Sequence, residues 1–336
     1  MGSFRDISFT STELARLANV EKSKLDLAEK EGQLQTVRKR VGNVDRKMIP
    51  LESMQSFFTG RRGDRPAQGQ EGHDEFLTSG MTPAKPSHKK QMFYNVKGGT
   101  GKSTLTAQYV MQAAMMGYRV LALDLDGQGH LTLNLDVLDA HELPTVYDVL
   151  INDLKMEQAI MNVAPGLDLV PANLGLCTIE IPLNQKPRRE YRLGEAIASI
   201  ADNYDLIVAD TNPAASILNS SMLVACDLVN VVCATNPLSF HGMSLVMATI
   251  EDMEREFKRE LAIKIIPNLY DNREVISQEV LGELKSQFSD YCTKAVISRS
   301  ADLNEATKRR TTVWGVNSRG VGAQDIGALT RELLFL

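Results

Sequence analysis

The chain has 336 residues and a formal net charge of −5, and 43% of its residues are hydrophobic and 24% charged. This composition is typical of a soluble globular protein and excludes disordered, collagen-like and disulfide-scaffold proteins. No apolar run approaches the ~18 residues of a membrane-spanning helix, and the first residues lack the apolar core of a signal peptide, so we predict a cytoplasmic protein.

The placement of cysteine and histidine argues against a metal–thiolate site. The four cysteines, Cys177, Cys226, Cys233 and Cys292, show no CxxC pairing and no histidine at ligand spacing. We therefore predict reduced and mostly buried thiols. His241 has no neighbouring nucleophile or metal ligand in the sequence, and we predict a structural role for it.

Charge and composition divide the chain into three parts. Basic residues outnumber acidic ones over residues 1–90, whereas acidic residues dominate from residue 91 to the end. Residues 59–89 are rich in glycine, proline and charge with almost no apolar periodicity, which is typical of a linker. We predict an N-terminal module at 1–58, a linker at 59–89 and a larger domain at 90–336.

The N-terminal module has the pattern of two short helices joined by a tight turn. Thr10 and Ser11 are candidate N-caps, apolar residues follow at helical spacing as far as Val20, and a second, polar helix ends at Gly32. This order predicts a helix-turn-helix module, with a small helical dimerisation or capping module as the alternative.

The basic residues of this module are the candidates for DNA contacts. They lie in the second helix and in the segment after it, which we interpret as a wing or basic turn: Lys22, Lys24, Arg38, Lys39, Arg40, Arg46 and Lys47. Further along, Leu51, Met54 and Phe57 recur at helical spacing, and we predict that they belong to the core of the module.

From residue 91 onward, short β-rich runs alternate with longer helical patterns. A helix is predicted from about Lys102. The strands are predicted at residues 91–96, 118–126, 167–172, 204–210, 228–235 and 261–270. This alternation is typical of βαβ units, so we predict an α/β fold in which a mostly parallel sheet carries helices on both faces.

The most informative segment, Val96–Thr104, lies between a predicted strand and a predicted helix. Its glycines permit a tight turn that points backbone N–H groups inward, and Lys102 can reach the β- and γ-phosphates of a nucleotide. The Ser103 hydroxyl can ligate Mg²⁺, and the helix N-terminus attracts the anion. Val96 occupies the first glycine position of the usual phosphate-loop pattern, and Lys97 adds a second lysine.

This loop, KGGTGKST, resembles the deviant Walker A motif of the ParA/MinD superfamily, and the segments from about Lys90 to Leu336 resemble ParA partition ATPases in particular. The resemblance implies a deviant P-loop NTPase fold and a homodimer that forms with ATP. In that dimer Lys97 would reach the nucleotide of the other subunit. The implied ATP-binding residues are Lys97, Gly98, Gly99, Thr100, Gly101, Lys102, Ser103 and Thr104.

Acidic residues end two of the predicted strands. Asp124 and Asp126 are two residues apart, so they share a face of a strand, and Asp210 ends another apolar strand in a Walker-B arrangement. Carboxylates beside a phosphate loop can hold the Mg²⁺ shell, mostly through water, and orient an attacking water. The family pattern DxDPQ implies that Asp126 acts in hydrolysis, although Gly127 replaces its proline here.

This region holds one further departure from the family pattern and one further candidate residue. The family pattern DxPP reads Asp210-Thr211-Asn212-Pro213 in this chain, so one proline is missing. Gln128 is a candidate neighbour of the phosphates, with an exposed loop residue as the alternative.

The C-terminal third resembles the part of ParA proteins that contributes an adenine pocket and a basic surface. Pro267 and Asn268 end a predicted strand at the ligand-facing rim and are candidates for that pocket, with a plain strand–loop boundary as the alternative. Arg273 and Arg299 match positions that the family uses to hold nonspecific DNA, and Lys308–Arg310 adds a basic cluster.

These features predict an ATP-dependent DNA segregation ATPase that uses ATP and Mg²⁺, with Lys97, Lys102 and Asp126 as its catalytic residues. The resemblance implies a cytoplasmic, nucleoid-associated homodimer that binds nonspecific DNA and a ParB-like centromere-binding protein. The N-terminal module resembles the winged or MerR-like headpiece of larger plasmid ParA proteins, which implies operator DNA as a further partner and repression of its own operon.

Four alternative functions compete with this hypothesis. Positioning of a protein cargo on the nucleoid, and a transcriptional regulator with a vestigial ATPase, stay open. A MinD-like membrane ATPase is disfavoured because the chain ends without a basic amphipathic helix. An iron–sulfur reductase on the same fold is disfavoured because Cys226 and Cys233 do not supply paired ligands.

Overall fold

The computed structural model describes residues 4–18, 20–41, 44–63 and 85–336. The larger domain is built on one seven-stranded sheet. Its strands are β4 (Lys90–Tyr94), β5 (Val120–Leu125), β6 (Met161–Ala164), β7 (Leu167–Val170), β8 (Leu206–Thr211), β9 (Leu228–Ala234) and β10 (Ala262–Asn268). Their spatial order is β10-β9-β4-β8-β5-β7-β6.

All neighbouring strands of this sheet run parallel except β6, which pairs antiparallel with β7 at the edge. The predicted α/β fold is confirmed, and each of the six predicted strands is present. Strand β6 escaped prediction because it is only four residues long and half of it is not buried.

Helices cover both faces of the sheet. Successive residues of β5 alternate between two hydrophobic clusters, with Val120 and Ala122 in one and Leu121 and Leu123 in the other, as the two-residue period of a strand requires. The helices after β4 span Lys102–Met115, His130–Asn134, Val146–Ile151, Met156–Ala159, Glu180–Asn184, Arg189–Ile200, Ile217–Ala225, Pro237–His241, Met243–Phe257, Val275–Gln287, Ala301–Arg309, Val313–Asn317 and Val321–Leu334. Among the described residues, none of the helices combines the length and the apolar character needed to cross a membrane.

The N-terminal module contains two short helices followed by a β-hairpin. Helices α1 (Ser11–Ala18) and α2 (Lys22–Lys30) lie where helices were predicted, and β2 (Val37–Val41) pairs antiparallel with β3 (Val44–Pro50). A short strand, β1 (Ser8–Phe9), completes a three-stranded sheet. The basic segment therefore lies on the two strands of the hairpin.

Helix α3 (Leu51–Gly63) connects the module to the larger domain. Leu51, Met54 and Phe57 are buried as predicted, but the hydrophobic cluster to which they belong also contains residues of the larger domain, such as Tyr109 and Met115. The module therefore shares its core with the domain and is not an independently packed headpiece.

Helix α3 continues to Gly63, into the first residues of the segment predicted as a linker from its glycine, proline and charge content. Extending a helix adds one hydrogen bond for each residue fixed. Most of the predicted linker, residues 64–84, lies outside the described residues. After it, the backbone N–H of Ser87 donates to the carbonyl of Leu334.

Specific contacts join the module to the domain. The amide of Gln55, 6% exposed, donates to the carbonyls of Ala114 and Tyr118 at 2.8 and 2.9 Å. Phe58 lies so close to Gly117 that a Cβ there would be 2.2 Å from its own Cβ. We call this set of contacts the module interface.

Candidate active site

The phosphate loop links β4 to the helix Lys102–Met115, which we call the phosphate-loop helix. Gly99 and Gly101 have φ angles of 74° and 90°, which side chains rarely adopt. A Cβ on Gly101 would also lie 2.4 Å from the side-chain nitrogen of Asn268. Glycine at these two positions is therefore required by the path of the loop.

Two asparagines fix the loop to the sheet. Asn95 donates to the carbonyl of Val232 at 2.8 Å and accepts from the N–H of Lys97 at 2.9 Å. Asn268, at the end of β10, donates to the carbonyl of Thr100 at 2.7 Å. Asn268 was predicted to line the base pocket. The structure gives its amide a contact with the phosphate loop, which the sequence did not indicate.

Lys102 is buried at the first turn of the phosphate-loop helix. Its side chain donates to the carbonyl of Lys97 at 3.3 Å, and the residue is 6% exposed. Burial lowers the pKa of Lys102, and the nearby charges of Asp210 and Asp126 oppose that shift. The ammonium group is therefore held beside carboxylates at the mouth of the loop.

Asp124 and Asp210 face each other across neighbouring strands. They are register partners on β5 and β8, and both are fully buried. Burial, reinforced by repulsion from Asp124, raises the pKa of Asp210 to about 8, whereas burial raises that of Asp124 to about 6. Two buried carboxylates on neighbouring strands are both ionised only if a cation compensates their charge.

Asp124 is well supplied with hydrogen-bond donors, and Asp210 is not. Thr132 donates to Asp124 through its hydroxyl at 2.7 Å and its N–H at 2.8 Å. Asp210 accepts a long bond from Thr106 at 3.4 Å, and its Oδ2 has no hydrogen-bond partner among the described residues. Thr132 was not singled out from the sequence, because a threonine eight residues after an aspartate carries no pattern.

Asp126 lies one residue past the end of β5 rather than in the strand. Its N–H donates to Asp124 at 3.2 Å, and its carboxylate accepts from the N–H of Gln128 at 3.0 Å. Gln128 itself is exposed. Asp126 is half-buried and lies close enough to Lys102 to influence its pKa, so the structure brings together two of the three predicted catalytic residues; Lys97 contributes its backbone carbonyl to Lys102.

The glycine that replaces the family's proline after Asp126 has a steric reason. A Cβ on Gly127 would lie 2.4 Å from the sulfur of Cys177 and 2.9 Å from its backbone nitrogen. Cys177 lies in a 3₁₀ turn, Leu174–Thr178, that presses against the loop of Asp126. The departure from the family pattern is therefore matched by a neighbouring segment of the same chain.

The missing proline after Asp210 is replaced by an amide network. The side chain of Asn219, only 1% exposed, donates to the backbone carbonyls of Asn212 and Ala214 and to the side chain of Asn212. Asn212 also accepts from the N–H of Ala214. These hydrogen bonds hold the turn after β8 in place of a rigid proline ring.

The donor set suits a divalent cation and a triphosphate. Mg²⁺ prefers hard oxygen ligands from carboxylates, hydroxyls and water. Asp210 offers a carboxylate oxygen with no partner in the described residues, and the Ser103 hydroxyl lies near enough to that carboxylate to lower its pKa. The loop adds inward glycines and a buried lysine, so the residues present fit this group.

Comparison with known proteins agrees with this geometry. A family model described as AAA domain matches residues 88–263. The cell division protein PomZ of Myxococcus xanthus is 31% identical over 254 residues, which cover 75% of this chain and 80% of PomZ. The chromosome partitioning protein ParA of Caulobacter vibrioides (strain NA1000 / CB15N) is 31% identical over 244 residues, covering 71% of this chain and 91% of that protein. The chain belongs to the ParA family of partition ATPases.

A solved structure with the same fold is that of cobyrinic acid a,c-diamide synthase from Mycobacterium smegmatis with a bound ATP analogue and magnesium. It is 29% identical, has a TM-score of 0.59, and the match covers 66% of this chain and 91% of the other. Membership in the ParA family confirms the predicted enzyme class, an ATPase of the segregation or positioning type. The family model begins at residue 88, so the N-terminal module lies outside its match.

Proposed function

We propose that this protein is a DNA segregation ATPase whose DNA binding is switched by ATP. The observation that carries the proposal is the pair of buried carboxylates, Asp124 and Asp210, beside the buried Lys102 at the end of a glycine-rich loop. This arrangement is costly unless a cation and phosphates occupy it, so it supports a site built for ATP and Mg²⁺.

Each polar side chain of the site has a role that its position supports. When bound, Mg²⁺ would neutralise developing charge on the phosphates, and Ser103 and Asp210 are the residues that would hold it, Asp124 and Asp126 contributing through water. Lys102 binds the β- and γ-phosphates, and Asp126, half-buried at the rim, orients the attacking water. Lys97 reaches the nucleotide of the second subunit in a homodimer.

The rest of the phosphate loop binds the nucleotide through its backbone. Gly98, Gly99, Thr100 and Gly101 present N–H groups to the phosphates, followed by Ser103 and Thr104 at the helix N-terminus. Asn268 and Pro267 lie at the end of β10 beside this loop. We assign them to the edge of the nucleotide site, where Asn268 also holds the loop in shape.

The nonspecific DNA surface is assigned to Arg273 and Arg299. Both lie near Asp271: the side chain of Arg273 donates two hydrogen bonds to it, at 2.9 and 2.7 Å, and with Arg299 it lowers the pKa of Asp271. The side chain of Arg273 is 82% exposed, and Arg299 is also exposed. Exposed guanidinium groups gathered at the ligand-facing end of the sheet suit phosphates of any sequence.

The basic hairpin of the module supports a second DNA surface. Arg38 lies opposite Lys47, and Lys39 lies opposite Arg46, so like charges face each other across the hairpin. Such pairs destabilise a hairpin in isolation. Together with Lys22 and Lys24 on α2, these residues are assigned to operator DNA, which would make the protein a repressor of its own operon.

A ParB-like protein bound to the DNA cargo is the proposed activator of hydrolysis, which would release the ATPase from nonspecific DNA at the nucleoid. Positioning of a protein cargo is the second candidate, because PomZ, a cell division protein, matches as much of the chain as the chromosome partitioning protein ParA does. Purification of the partner separates the two candidates, since a centromere-binding protein supports segregation and any other cargo protein supports positioning.

The proposal is tested by binding to a random-sequence duplex with ATP, ADP or no nucleotide at two salt concentrations. The wild type should bind tightly only with ATP, and higher salt should weaken binding steeply. Lys102→Ala should lose binding, whereas Asp126→Ala should retain it and fail to hydrolyse ATP. Arg255→Gln, which changes an exposed arginine on an outer helix, is the matched control.

Nucleotide-independent binding that both variants share would overturn ATP gating. It would leave the module as the main DNA-binding part of the protein. Loss of binding in Arg255→Gln would show that the assay responds to net charge alone.

A further inference from the structure

A cavity of about 440 Å³ lies between the module and the last helices of the larger domain. Its lining includes Arg16 on α1, Arg319 in the turn before the helix Val321–Leu334, Arg331 on that helix, and Trp314 and Gly327. Its volume falls in the range of small-molecule sites, which is roughly 300–1,000 Å³. The cavity is separate from the phosphate loop.

The three arginines have no carboxylate among the residues that line the cavity. Arg331 is half-buried, its side chain makes no hydrogen bond or ion pair with the described residues, and its pKa is lowered by burial. Arg16 forms no ion pair in the described part of the chain either. A half-buried guanidinium without an anion is unfavourable, so this site is incomplete as it stands.

The carboxylate near the cavity is already engaged. Glu13 accepts hydrogen bonds from Thr10 at 2.9 Å and from Ser318 at 2.9 Å. Burial raises its pKa, but these hydrogen bonds and the charge of Arg319 outweigh burial and lower it. Glu13 therefore offsets part of the charge of Arg319 and leaves Arg331 without compensation.

A second unsatisfied donor lies beside Trp314 and Gly327, two residues that line the cavity. Gln112, fully buried on the phosphate-loop helix, accepts from the indole N–H of Trp314 at 3.1 Å. Its side-chain nitrogen has no partner among the described residues. A Cβ on Gly327 would lie 3.6 Å from that nitrogen and 3.4 Å from both Trp314 and Arg331, so glycine keeps this floor open.

We propose that this cavity binds a phosphorylated small molecule. The half-buried guanidinium of Arg331 lines the cavity without a partner among the described residues, and forked guanidinium groups match phosphate oxygens in geometry and charge. A DNA backbone fits less well, because Arg331 is half-buried inside a cavity, whereas a duplex contacts exposed side chains. Because Arg16 belongs to the module and Arg331 to the last helix of the larger domain, the ligand would join the module to the ATPase.

The experiment measures binding of sodium pyrophosphate to the full chain by calorimetry. A Lys102→Ala background removes the lysine of the phosphate loop, and the arginine variants then separate the cavity from the other basic surfaces. Arg331→Gln should weaken pyrophosphate binding about tenfold or more, and Arg16→Gln, an exposed change that does not threaten folding, should weaken it severalfold. Arg255→Gln should bind as the background does.

Two results would overturn the proposal. One is the absence of measurable pyrophosphate binding, and the other is binding that Arg331→Gln and Arg16→Gln leave unchanged. A random-sequence duplex is titrated in parallel. If the two arginine variants weaken duplex binding and pyrophosphate does not bind, the arginines belong to a DNA surface and the small-molecule site is wrong.

Discussion

The nucleotide site and the N-terminal module handle charge in opposite ways. At the nucleotide site, Asp124, Asp210 and Lys102 are between 0% and 6% exposed. On the hairpin, Arg38 and Arg46 are exposed and face other basic residues. Buried charges are stable only with a fixed partner, so they specify one ligand, whereas exposed charges are screened by salt and suit the repeating phosphates of DNA.

The largest effect is expected when the nucleotide site loses its buried lysine. Lys102→Ala should reduce the ATP hydrolysis rate about 100- to 1,000-fold, because it removes a preorganised positive charge from the phosphates. Phosphate release at saturating ATP measures this. Lys285→Ala, an exposed lysine on an outer helix, should hydrolyse ATP as the wild type does. A Lys102→Ala rate within tenfold of the wild type would contradict the assigned role.

The next effect tests whether the module is built into the domain. Gln55→Ala removes two hydrogen bonds across the module interface and leaves the carbonyls of Ala114 and Tyr118 without them. The free energy of unfolding should fall by about 1 to 3 kcal/mol in denaturant titrations. Gln35→Ala, at an exposed position of the module, should stay within about 0.5 kcal/mol of the wild type. Equal stability of both variants would show that the module does not stabilise the domain.

A smaller change tests the close contact beside Asp126. Gly127→Ala should lower the free energy of unfolding by about 1 to 2 kcal/mol, because its Cβ would overlap the backbone of Cys177. Gly282→Ala has open space around it inside the helix Val275–Gln287 and should raise stability by about 0.5 to 1 kcal/mol. Thermal unfolding of the pair checks the contrast, and a stabilising Gly127→Ala would refute the contact.

The smallest effect concerns the rates at which the thiols react. Burial raises the pKa of Cys226 and that of Cys233 to about 12, so both thiols stay protonated at pH 8. Cys177 is exposed, and iodoacetamide should label it first because the thiolate is the reactive form. Mass spectrometry of timed samples measures the order. Early labelling of Cys226 would contradict the burial of this residue at the end of the helix Ile217–Ala225.

The sequence indicated the candidate site residues more readily than the residues that support them. Lys102, Ser103 and Asp210 belong to contiguous motifs, so their predicted roles follow from strand–loop–helix order. Asn219 and Thr132 hold the same site through contacts made only after folding, and no local pattern marks them. Asp126 shows the limit of spacing arguments, since the strand ends one residue before it.

For the module too, the local elements could be predicted and the long-range contacts could not. Its helices and its apolar residues could be predicted from periodicity, and Leu51 and Met54 are buried as expected. Its attachment to the domain depends in part on the contact between Phe58 and Gly117, which are 59 residues apart and meet only in the folded chain. A glycine- and proline-rich segment between the two parts suggested separate bodies, whereas in the folded chain the two parts share a hydrophobic cluster.

We propose that ATP controls the binding of nonspecific DNA at the domain, whereas the basic hairpin of the module is assigned to operator DNA. The most direct test is the nucleotide dependence of random-duplex binding in Arg299→Gln and in the triple variant Arg38→Gln, Lys39→Gln, Arg40→Gln. We predict that Arg299→Gln loses most of the ATP-dependent binding and that the triple variant keeps it. ATP-dependent binding that survives in Arg299→Gln and disappears in the hairpin variant would contradict the account.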